Sequence, residues 1–426
     1  MKVLIVGSGG REHALAWKIA QSPSLTKLYI APGNGGTALE GENVPLSDDD
    51  IPRLTAFVRD QGIDLVVAGP EAPLVLGLKE SIAQTGAAFF GPDTFAAQLE
   101  GSKAFAKTVM HEAGVPTSDF AVFDDYDEAR AHLDERGAPV VVKADGLAAG
   151  KGVVVCKTLD EAYEALQSMM VKKAFSSAGD RVVIEDCLVG EEASFLAFCD
   201  GQDVLLMPSS QDHKPVGEGD TGPNTGGMGA YSPAPVLPES DYQRMAELVI
   251  RPIVRQLSKL GHPFVGVLYA GLMYTDAGPM VLEYNVRFGD PECQPLLMRL
   301  DSDLLDILLA CARGRLGEIE ARWKPETACC VVMAADGYPA SYPKGMAISG
   351  IDAAEKLAGV KVFQAGTKTD GGGVATSGGR VLGVTALGDS LATAKARAYE
   401  AVDLISFENS YCRRDIGDKG IRRLEG

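Results

Sequence analysis

The sequence predicts a multidomain protein of mixed α/β and α+β class that begins with a doubly wound parallel sheet. Residues 1–100 alternate short apolar strands with amphipathic helices, the pattern that builds a parallel sheet covered on both faces. Residues 122–191 follow as a compact strand–helix–strand–strand–helix–strand unit, which is the size of a mobile lid. The last hundred residues are rich in strands and Gly-Gly turns, which predicts a separate C-terminal domain.

Chain length supports this division, because 426 residues exceed what one hydrophobic core organises. We expect an N-terminal domain at 1–100, a linker helix at 101–121, the lid at 122–191, a central domain at 192–325 and a C-terminal domain at 326–426. A loop rich in glycine and proline at 209–235 interrupts the central domain. Loops longer than ~12–15 residues in compact domains are usually functional.

Apolar runs and helical periodicity place the individual elements. Strands are expected at Val3–Val6, Lys27–Ile30, Leu65–Ala68, Ala88–Gly91, Phe120–Phe123, Val140–Ala144, Val153–Cys156, Val182–Glu185, Ser194–Cys199, Val204–Pro208, Phe264–Tyr274 and Met280–Asn285. Helices are expected at Glu12–Gln21, Pro52–Gln61, Leu74–Thr85, Ser102–Ala113, Tyr126–Arg136 and Asp160–Met170.

Composition excludes several classes of protein. A net charge of −18 argues against a nucleic-acid partner, which needs a basic face. No apolar run approaches the ~18 residues of a membrane span, and the N-terminus does not resemble a signal peptide. Eight cysteines at irregular positions favour reduced thiols in the cytoplasm over disulfides or a zinc site.

The segment Gly7–Gly10 follows the first predicted strand and precedes a helix. It is not a dinucleotide fingerprint, because Glu12 stands where the third glycine belongs and no acidic residue ends the second strand. An oxidoreductase is therefore disfavoured. Backbone NH groups at such a helix start can hold a phosphate or carboxylate, with Arg11 adding charge, and a structural tight turn is the alternative.

Lys143 lies near a strand end and precedes a loop of small residues that contains Gly150, Lys151 and Gly152. Such a loop can close over a triphosphate, because glycines permit close backbone approach and lysines offset charge. It is not a Walker A loop, since no Gly-Lys-Ser/Thr stands at a helix start. An ordinary glycine-rich hairpin with surface lysines is the alternative.

The strand Val182–Glu185 runs into a short connector with free backbone groups, the kind of edge to which an adenine can hydrogen-bond. The carboxylate of Glu192, a little later in the chain, could accept hydrogen bonds from ribose hydroxyls. Taken singly, each acid in this segment is also typical of a solvated surface.

Glu283, Asn285 and Arg287 share one face of a strand, because side chains alternate along it. Two adjacent oxygen ligands suit Mg²⁺, which binds through one or two protein oxygens together with phosphates and water. Arg287 could neutralise a transferring phosphoryl group. A polar face on a half-exposed strand is the alternative.

The loop 209–235 carries Asp212, His213 and Lys214 and a glycine-rich run at 220–231. It is too glycine-rich to form a core and holds charges of both signs, which favours a substrate-gripping loop that orders on binding. His213 could transfer protons, although a lone histidine more often only hydrogen-bonds locally.

Together these segments resemble the phosphoribosylamine–glycine ligase family, also called glycinamide ribonucleotide synthetases, of the ATP-grasp superfamily. The most specific runs are Gly-Pro-Asn-Thr-Gly-Gly-Met-Gly-Ala-Tyr at 222–231 and Asn-x-Arg-Phe-Gly-Asp-Pro-Glu at 285–292. The resemblance covers nearly the whole chain. The other matching segments are Gly7–Leu15, Ala31–Thr37, Gly69–Leu74, Lys143–Gly152, Gly190–Ser194, Gly378–Gly383 and Arg413–Gly417.

The resemblance implies that residues 122–191 form an ATP-grasp lid and residues 192–325 an ATP-grasp central domain, which use ATP as co-substrate and Mg²⁺ or Mn²⁺. It implies ATP contacts at Lys103, Lys143, Gly150, Lys151, Glu185, Asp186, Leu188 and Glu192, and metal ligands at Glu283 and Asn285. It implies substrate contacts at Gly9, Gly10, Arg11, Asn34, Asp212, His213, Lys214, Asn224, Gly227, Met228 and Asp290. Arg287 and Lys143 would act as catalytic residues.

The implied reaction is the second step of de novo purine synthesis. Glycine would attack the γ-phosphate of ATP to give glycyl phosphate, and the amine of 5-phosphoribosylamine would then displace phosphate. Such chemistry depends on positioning and charge neutralisation, so the sequence need not contain a nucleophile–base pair. A cytoplasmic monomer is expected, with a homodimer as the alternative.

The sequence departs from the family pattern in two places. Pro215 stands where the family usually has arginine, and the strand Gly271–Met273 lacks a carboxylate that many ATP-grasp enzymes place there. Metal ligation would then depend on Glu283 and Asn285 with phosphate and water. A related ligase for another carboxylate or amine would share the ATP motifs but not the 220–231 loop, and a non-catalytic nucleotide-binding module would tolerate losing Arg287 and both metal ligands.

Overall fold

The N-terminal domain is built on five parallel strands in the order β3-β2-β1-β4-β5. The computed structural model describes residues 1–148 and 152–425. The domain contains β1 (Lys2–Gly7), α1 (Gly10–Ile19), β2 (Lys27–Pro32), α2 (Thr37–Glu40), β3 (Glu42–Asn43), α3 (Ile51–Gln61), β4 (Leu65–Ala68), α4 (Ala72–Val75), α5 (Leu78–Ala83) and β5 (Ala88–Phe90). Alternate residues of β1 belong to two different apolar clusters, which confirms a sheet covered on both faces.

One helix of this domain differs from the prediction. The single helix expected at Leu74–Thr85 is wrong, because α4 ends at Val75 and α5 begins at Leu78. Gly77 between them has a φ of +87°, in the left-handed region that a helix cannot include. Periodicity alone carried the prediction across this break.

Two helices join this domain to the lid: α6 (Gln98–Gly101) and α7 (Lys103–Ala113). The hydroxyl of Ser102 caps α7 by accepting the backbone NH of Phe105 at 3.1 Å, and Gly114 ends it with a left-handed φ of +69°. Lys103 and Lys107 lie one helical turn apart on α7, so both face the same side.

The lid is a four-stranded antiparallel sheet in the order β6-β9-β7-β8, with its own apolar cluster. It contains β6 (Phe120–Phe123), α8 (Tyr126–Arg136), β7 (Val140–Ala144), β8 (Val153–Cys156), α9 (Leu159–Leu166) and β9 (Val182–Asp186). The helix expected at Asp160–Met170 instead changes at Gln167 to a π-helical turn that ends at Val171.

Residues 191–312 form the central region, whose antiparallel sheet has the order β11-β10-β16-β17. Its elements are β10 (Glu191–Asp200), β11 (Val204–Leu206), β12 (Gln211–Asp212), β13 (Pro215–Gly217), β14 (Thr221–Asn224), β15 (Gly229–Ser232), α10 (Tyr242–Met245), α11 (Arg251–Lys259), β16 (Val265–Thr275), β17 (Gly278–Asn285), α12 (Cys293–Arg299) and α13 (Leu304–Ala312).

The C-terminal domain contributes a second antiparallel sheet, in the order β12-β15-β18-β23-β20. Its elements are β18 (Thr327–Ala334), β19 (Ala347–Ile348), α14 (Ile351–Ala354), β20 (Val360–Gln364), β21 (Thr367–Asp370), β22 (Gly373–Thr376), β23 (Arg380–Gly388), α15 (Leu391–Leu404) and α16 (Asp418–Glu425). Strands β12 and β15 therefore bring part of the loop 209–235 into this sheet. The expectation that this loop cannot form a core is wrong, because Ala230 and Tyr231 are fully buried where β15 pairs with β18.

Two sequence predictions about chemical class also have structural outcomes. All eight cysteines carry free thiols, as expected for reduced residues. Across residues 1–148 and 152–425, no helix combines the length and the apolar character that a membrane crossing requires.

Candidate active site

A cavity of about 710 Å³ lies between the N-terminal domain, the lid, the central region and the C-terminal domain. Most of the site residues expected from the sequence line it. They are Gly9, Arg11, Lys103, Lys143, Glu185, Asp186, Leu188, Glu192, Asp212, Lys214, Asn224, Glu283, Asn285, Arg287 and Asp290. The fold thus brings residues from distant parts of the chain to one concave surface.

Glu283 and Asn285 lie on β17 with their side chains toward this cavity. Burial by itself would raise the pKa of Glu283, but Lys214 and then Lys143 outweigh it and lower that pKa, so the carboxylate is ionised. Across the strand pair, Gly271 faces Glu283, so no acid stands beside it there. The described residues contain no group of three or more His, Cys, Asp or Glu side chains that could hold a metal. The two oxygen ligands fit Mg²⁺ only when phosphates complete its coordination.

Lys143 of β7 is held by a buried carboxylate. Its ammonium lies 2.8 Å from Glu185 Oε1, and Lys107 of α7 lies 2.8 Å from Oε2 of the same group. The hydroxyl of Ser118 also donates to Oε2 at 2.9 Å. Burial raises the pKa of Glu185, but the two lysines outweigh it and lower that pKa. Glu185 therefore fixes the position of Lys143 in the cavity wall. Both oxygens of its carboxylate are occupied by protein partners.

Arg287 lies beyond the end of β17 and is held by two acids from earlier in the chain, Glu71 and Glu100. Its NH2 is 2.6 Å from Glu100 Oε1 and its Nε is 3.2 Å from Glu71 Oε2. The same NH2 donates to Asn285 Oδ1 at 3.2 Å. Burial raises the pKa of Glu100 to about 7 although Arg287 opposes it. Two carboxylates from other elements thus set the direction of this guanidinium.

Lys214 lies between two carboxylates of the cavity wall. Its ammonium is 3.1 Å from Glu192 and 4.0 Å from Glu283. The backbone carbonyl of Lys214 accepts hydrogen bonds from the NH and the hydroxyl of Thr225, each at 2.8 Å. These contacts place Asn224 and Thr225 in the cavity wall.

The start of α1 is an anion site filled by the protein itself. The NH of Arg11 donates to Asp290 Oδ2 at 3.2 Å, and the NH of Gly9 donates to Glu12 Oε2 at 2.5 Å. Burial raises the pKa of Asp290, but Arg380 and then Arg11 outweigh it and lower that pKa. Asp290, a side chain of the protein, thus occupies the place at this helix start where a phosphate or carboxylate ligand was expected. The Arg11 guanidinium is likewise occupied, by Glu12 at 2.6 Å and the carbonyl of Phe288 at 3.0 Å.

A second cavity of about 330 Å³ adjoins the first and shares Ser8, Gly9, Asp290 and Arg380 with it. Asn34 lies in its wall, but the side-chain amide of Asn34 donates to the carbonyls of Ser8 at 2.9 Å and Gln364 at 2.8 Å. Asn34 therefore ties the N-terminal glycine loop to the C-terminal domain.

Four of the expected substrate residues lie outside both cavity walls: Gly10, His213, Gly227 and Met228. Met228 is fully buried just before β15. The His213 ring packs 5.8 Å from the Tyr231 ring, and its Nδ1 lies 3.2 Å from the carbonyl of Gly229. A Cβ on Gly227 would lie 2.7 Å from Asp212 Oδ1, so this glycine lets the acid approach the backbone. Substrate contact by these four residues stays a prediction, and the structure places them outside both cavity walls. The expected ATP contacts at Gly150 and Lys151 lie outside the described residues.

Several cavity residues were missed by sequence reasoning. They are Glu71, Glu100, Lys107, Tyr269, Glu292, Tyr338 and Arg380. Four carried a signal in the sequence. Lys107 is one turn from Lys103 on the same helix, Glu292 closes the run 285–292, and Glu71 and Arg380 lie in the matching segments Gly69–Leu74 and Gly378–Gly383. The Tyr269 hydroxyl donates to Glu292 Oε1 at 2.5 Å, and burial followed by the charge of Glu292 raises the pKa of Asp212. These contacts join separate elements of the fold, so spacing along the chain could not reveal them.

Comparisons with known proteins identify the whole chain. Models of the phosphoribosylglycinamide synthetase N domain, ATP-grasp (A) domain and C domain match residues 1–100, 101–293 and 328–419. The chain is 54% identical to the phosphoribosylamine–glycine ligase of Vibrio cholerae, with 99% of both chains covered. It is likewise 54% identical to the enzyme of that name from Allochromatium vinosum, again over 99% of both.

Solved structures agree. The crystal structure of phosphoribosylamine–glycine ligase from Thermotoga maritima has a TM-score of 0.86 and 33% identity, covering 98% of this chain and 100% of that one. A biotin carboxylase domain from Hydrogenobacter thermophilus, solved with MgADP, shares the fold at a TM-score of 0.73 and 17% identity, covering 96% of this chain and 91% of that one. The resemblance found in the sequence is confirmed: the chain belongs to the phosphoribosylglycinamide synthetase family of ATP-grasp ligases.

Proposed function

We propose that this chain joins glycine to 5-phosphoribosylamine through glycyl phosphate, giving glycinamide ribonucleotide, ADP and phosphate. Full-length relatives that carry the corresponding enzyme name support the substrate pair. The chemistry is supported by the positive charges that lie together in one cavity. Four cationic side chains surround the oxygen pair Glu283 and Asn285: Lys103, Lys143, Lys214 and Arg287.

ATP is proposed to lie between the lid and the central region. The connector Asp186–Leu188 would meet the adenine, and Glu192 would hold the ribose. The apolar side chains of Leu147 and Val155 are both exposed at this wall, which suits a flat base. Lys103, whose ammonium now donates to the carbonyl of Gly146 at 3.2 Å, would turn to the phosphates together with Lys143.

Glu283 and Asn285 would hold Mg²⁺ or Mn²⁺ jointly with the phosphates, since two protein oxygens are what such an ion needs in a nucleotide site. Bound there, the ion would offset the negative charge of the phosphate oxygens. Lys214 lies 4.0 Å from Glu283 and offsets its charge within the protein.

The reaction divides into two steps. A carboxylate oxygen of glycine attacks the γ-phosphorus, the bond to the β–γ bridging oxygen breaks, and ADP leaves. The nitrogen of 5-phosphoribosylamine then attacks the carbonyl carbon of glycyl phosphate, loses a proton and releases phosphate. Arg287 and Lys143 would stabilise the oxygens of the transferring group. A closed lid would keep water from the acyl phosphate.

The second cavity is proposed to receive the phosphorylated sugar. Ser8, Thr367 and Ser377 line it, and Arg380 lines both cavities. A substrate that spans both cavities would present its amine in the larger one. This placement also gives Asp290 and the N-terminal glycines a role at the border between the two substrates.

The deciding experiment is a coupled assay of ADP release with each substrate omitted in turn. ADP should appear only when glycine and 5-phosphoribosylamine are both present. Release with another carboxylate and none with glycine would instead favour a related ligase with a different substrate pair. A cytoplasmic monomer, with a homodimer as the alternative, stays a prediction, and light scattering after size-exclusion chromatography tests the oligomeric state.

A further inference from the structure

Residues 215–224 form a β-hairpin, made of β13, β14 and the turn 218–220, which we call the substrate hairpin. All four residues of β14 are exposed and no residue of β13 is buried, so the hairpin has no apolar core of its own. Gly219 and Asp220 at its turn both have left-handed φ values, +64° and +58°. An isolated two-stranded hairpin is marginally stable in water, so contacts from elsewhere must hold this one.

The principal contact comes from Arg413, whose side chain is fully buried. Its Nε and NH2 donate to the two oxygens of Asp415 at 2.8 and 2.7 Å, which fixes the guanidinium plane. NH1 then donates to the carbonyl of Pro215 at 3.0 Å, and NH2 lies 3.1 Å from Asp220 Oδ1. One guanidinium thus grips the first strand and the turn of the substrate hairpin together.

Neighbouring residues of the C-terminal segment add to this grip. Asp415 Oδ2 accepts the NH of Gly219 at 2.9 Å, and Glu218 Oε1 accepts the NH of Arg414 at 2.9 Å. Lys419 pairs with Asp220 as well. Protein contacts therefore hold residues 215–224 in this structure, and ordering of the loop on binding stays a prediction.

The segment that carries Arg413 is itself firmly attached to the C-terminal domain. Tyr411 exchanges two backbone hydrogen bonds with Ala334 of β18, at 2.7 and 2.9 Å. The hydroxyl of Tyr399 on α15 donates to the carbonyl of Arg413 at 2.6 Å and accepts the NH of Ile416 at 3.1 Å. Through Arg413, the hairpin is therefore anchored to strand β18 and helix α15 of the C-terminal domain.

The other end of the substrate hairpin enters the cavity. Lys214 precedes β13 and Asn224 ends β14, where Pro215 pairs with Asn224, and both Lys214 and Asn224 line the cavity. A displacement at the turn would therefore be transmitted to both residues. Within the described residues, Lys103 contacts Gly146, Lys143 contacts Glu185 and Arg287 contacts Glu100, and these partners lie outside the hairpin.

We infer that Arg413 is a positioning residue for the two small substrates: by holding the substrate hairpin it sets the places of Lys214 and Asn224 in the cavity. This inference rests on the proposed function. It assigns a role in the reaction to a residue outside the cavity wall. The hairpin reaches the ATP side of the proposed site through Lys214, which lies 3.1 Å from Glu192 and 4.0 Å from Glu283.

The test compares Arg413→Gln and Asp220→Asn with Arg414→Gln. Arg414 is a matched control, because its side chain pairs with Asp403 on α15 and none of its side-chain contacts reaches the hairpin. We expect Arg413→Gln to raise the KM for glycine and for 5-phosphoribosylamine by roughly tenfold to a hundredfold. The KM for ATP should change less, because Lys103 and Lys143 are held by Gly146 and Glu185 and not by the hairpin. Arg413→Lys should recover only part of the loss, because an ammonium cannot reproduce the planar fork.

Hydrogen exchange provides a readout that needs no substrate. The amides of residues 216–225 should exchange faster in Arg413→Gln and Asp220→Asn but not in Arg414→Gln, and the double variant should add little to either single one. If Arg413→Gln fails to fold, Asp220→Asn decides, since this acid belongs to the hairpin and is partly exposed.

Unchanged KM values for both small substrates in folded Asp220→Asn would overturn the inference, as would equal changes for all three substrates. If the wild-type protein makes no product from glycine and 5-phosphoribosylamine, the proposed function fails instead. Hydrogen exchange then still tests whether Arg413 holds the hairpin. Unchanged exchange of the hairpin amides in Arg413→Gln and in Asp220→Asn would show that it does not.

Discussion

The ammonium groups of Lys107 and Lys143 lie 2.8 Å from opposite oxygens of the Glu185 carboxylate, although they come from the linker helix and the lid. All three side chains are almost fully buried. Lys107 also donates to the hydroxyls of Thr117 and Ser118, at 2.7 and 2.8 Å. One buried acid therefore joins the lid to the helix beneath it and holds the lysine proposed to meet the phosphates.

Replacing Glu185 with glutamine should destabilise the fold strongly. It leaves two buried ammonium groups without a counter-charge, a change that typically costs about 3–5 kcal/mol. Urea unfolding measures the loss. Glu42→Gln is the control, because the Lys27–Glu42 pair is exposed and should contribute less than about 1 kcal/mol. Equal effects in the two variants would contradict the assignment of Glu185.

Glu283→Ala should abolish turnover while the protein stays folded. The carboxylate is partly exposed at the cavity and proposed to hold the metal, so its loss removes a ligand without opening the core. Initial rates over a range of Mg²⁺ concentrations, with circular dichroism for folding, provide the measurement. Asp276→Ala is the control, because Asp276 is exposed at the far turn of the same strand pair. Near-normal rates for Glu283→Ala would refute the metal assignment.

Glu100→Gln should lower kcat roughly tenfold, because Arg287 would lose the charged partner that lies 2.6 Å away. The variant resembles the protonated acid. Since burial raises the pKa of Glu100 to about 7, wild-type kcat at pH 6 should move toward the value of the variant, and the two should differ most at pH 8. Measuring kcat of both proteins across this pH range tests the prediction. Identical profiles of kcat against pH would show that the charge of Glu100 does not act on catalysis. Glu112→Gln, an exposed acid on α7, is the control.

His213 should make the protein less stable in mild acid. Burial lowers its pKa from 6.5 to about 4, so below pH 6.5 the unfolded chain takes up a proton that the native chain does not. Its contribution is therefore complete above pH 6.5 and is lost as the pH falls toward 4. Between pH 7 and pH 5 this amounts to about 2 kcal/mol. Between pH 7 and pH 5 the free energy of unfolding should fall by about 2 kcal/mol less in His213→Gln than in the wild type. If it falls equally in both proteins, His213 does not cause the acid sensitivity.

Local sequence determined those features whose causes lie within a few residues. The helix at Tyr126–Arg136 and the strands Val140–Ala144 and Val153–Cys156 have the bounds expected from periodicity, because capping and alternation are local. The same alternation places Glu283 and Asn285 side by side on β17. Specific runs at 222–231 and 285–292 were enough to indicate the family.

Tertiary structure alone decided which partners the charged residues meet. Arg287 finds Glu71 and Glu100, and the start of α1 receives Asp290, across separations of hundreds of residues that no spacing rule spans. The hairpin at 215–224 looked like a free loop, because its own residues bury nothing and its support lies at Arg413. Charges pair through space, and only the packed domains bring these groups within hydrogen-bonding distance.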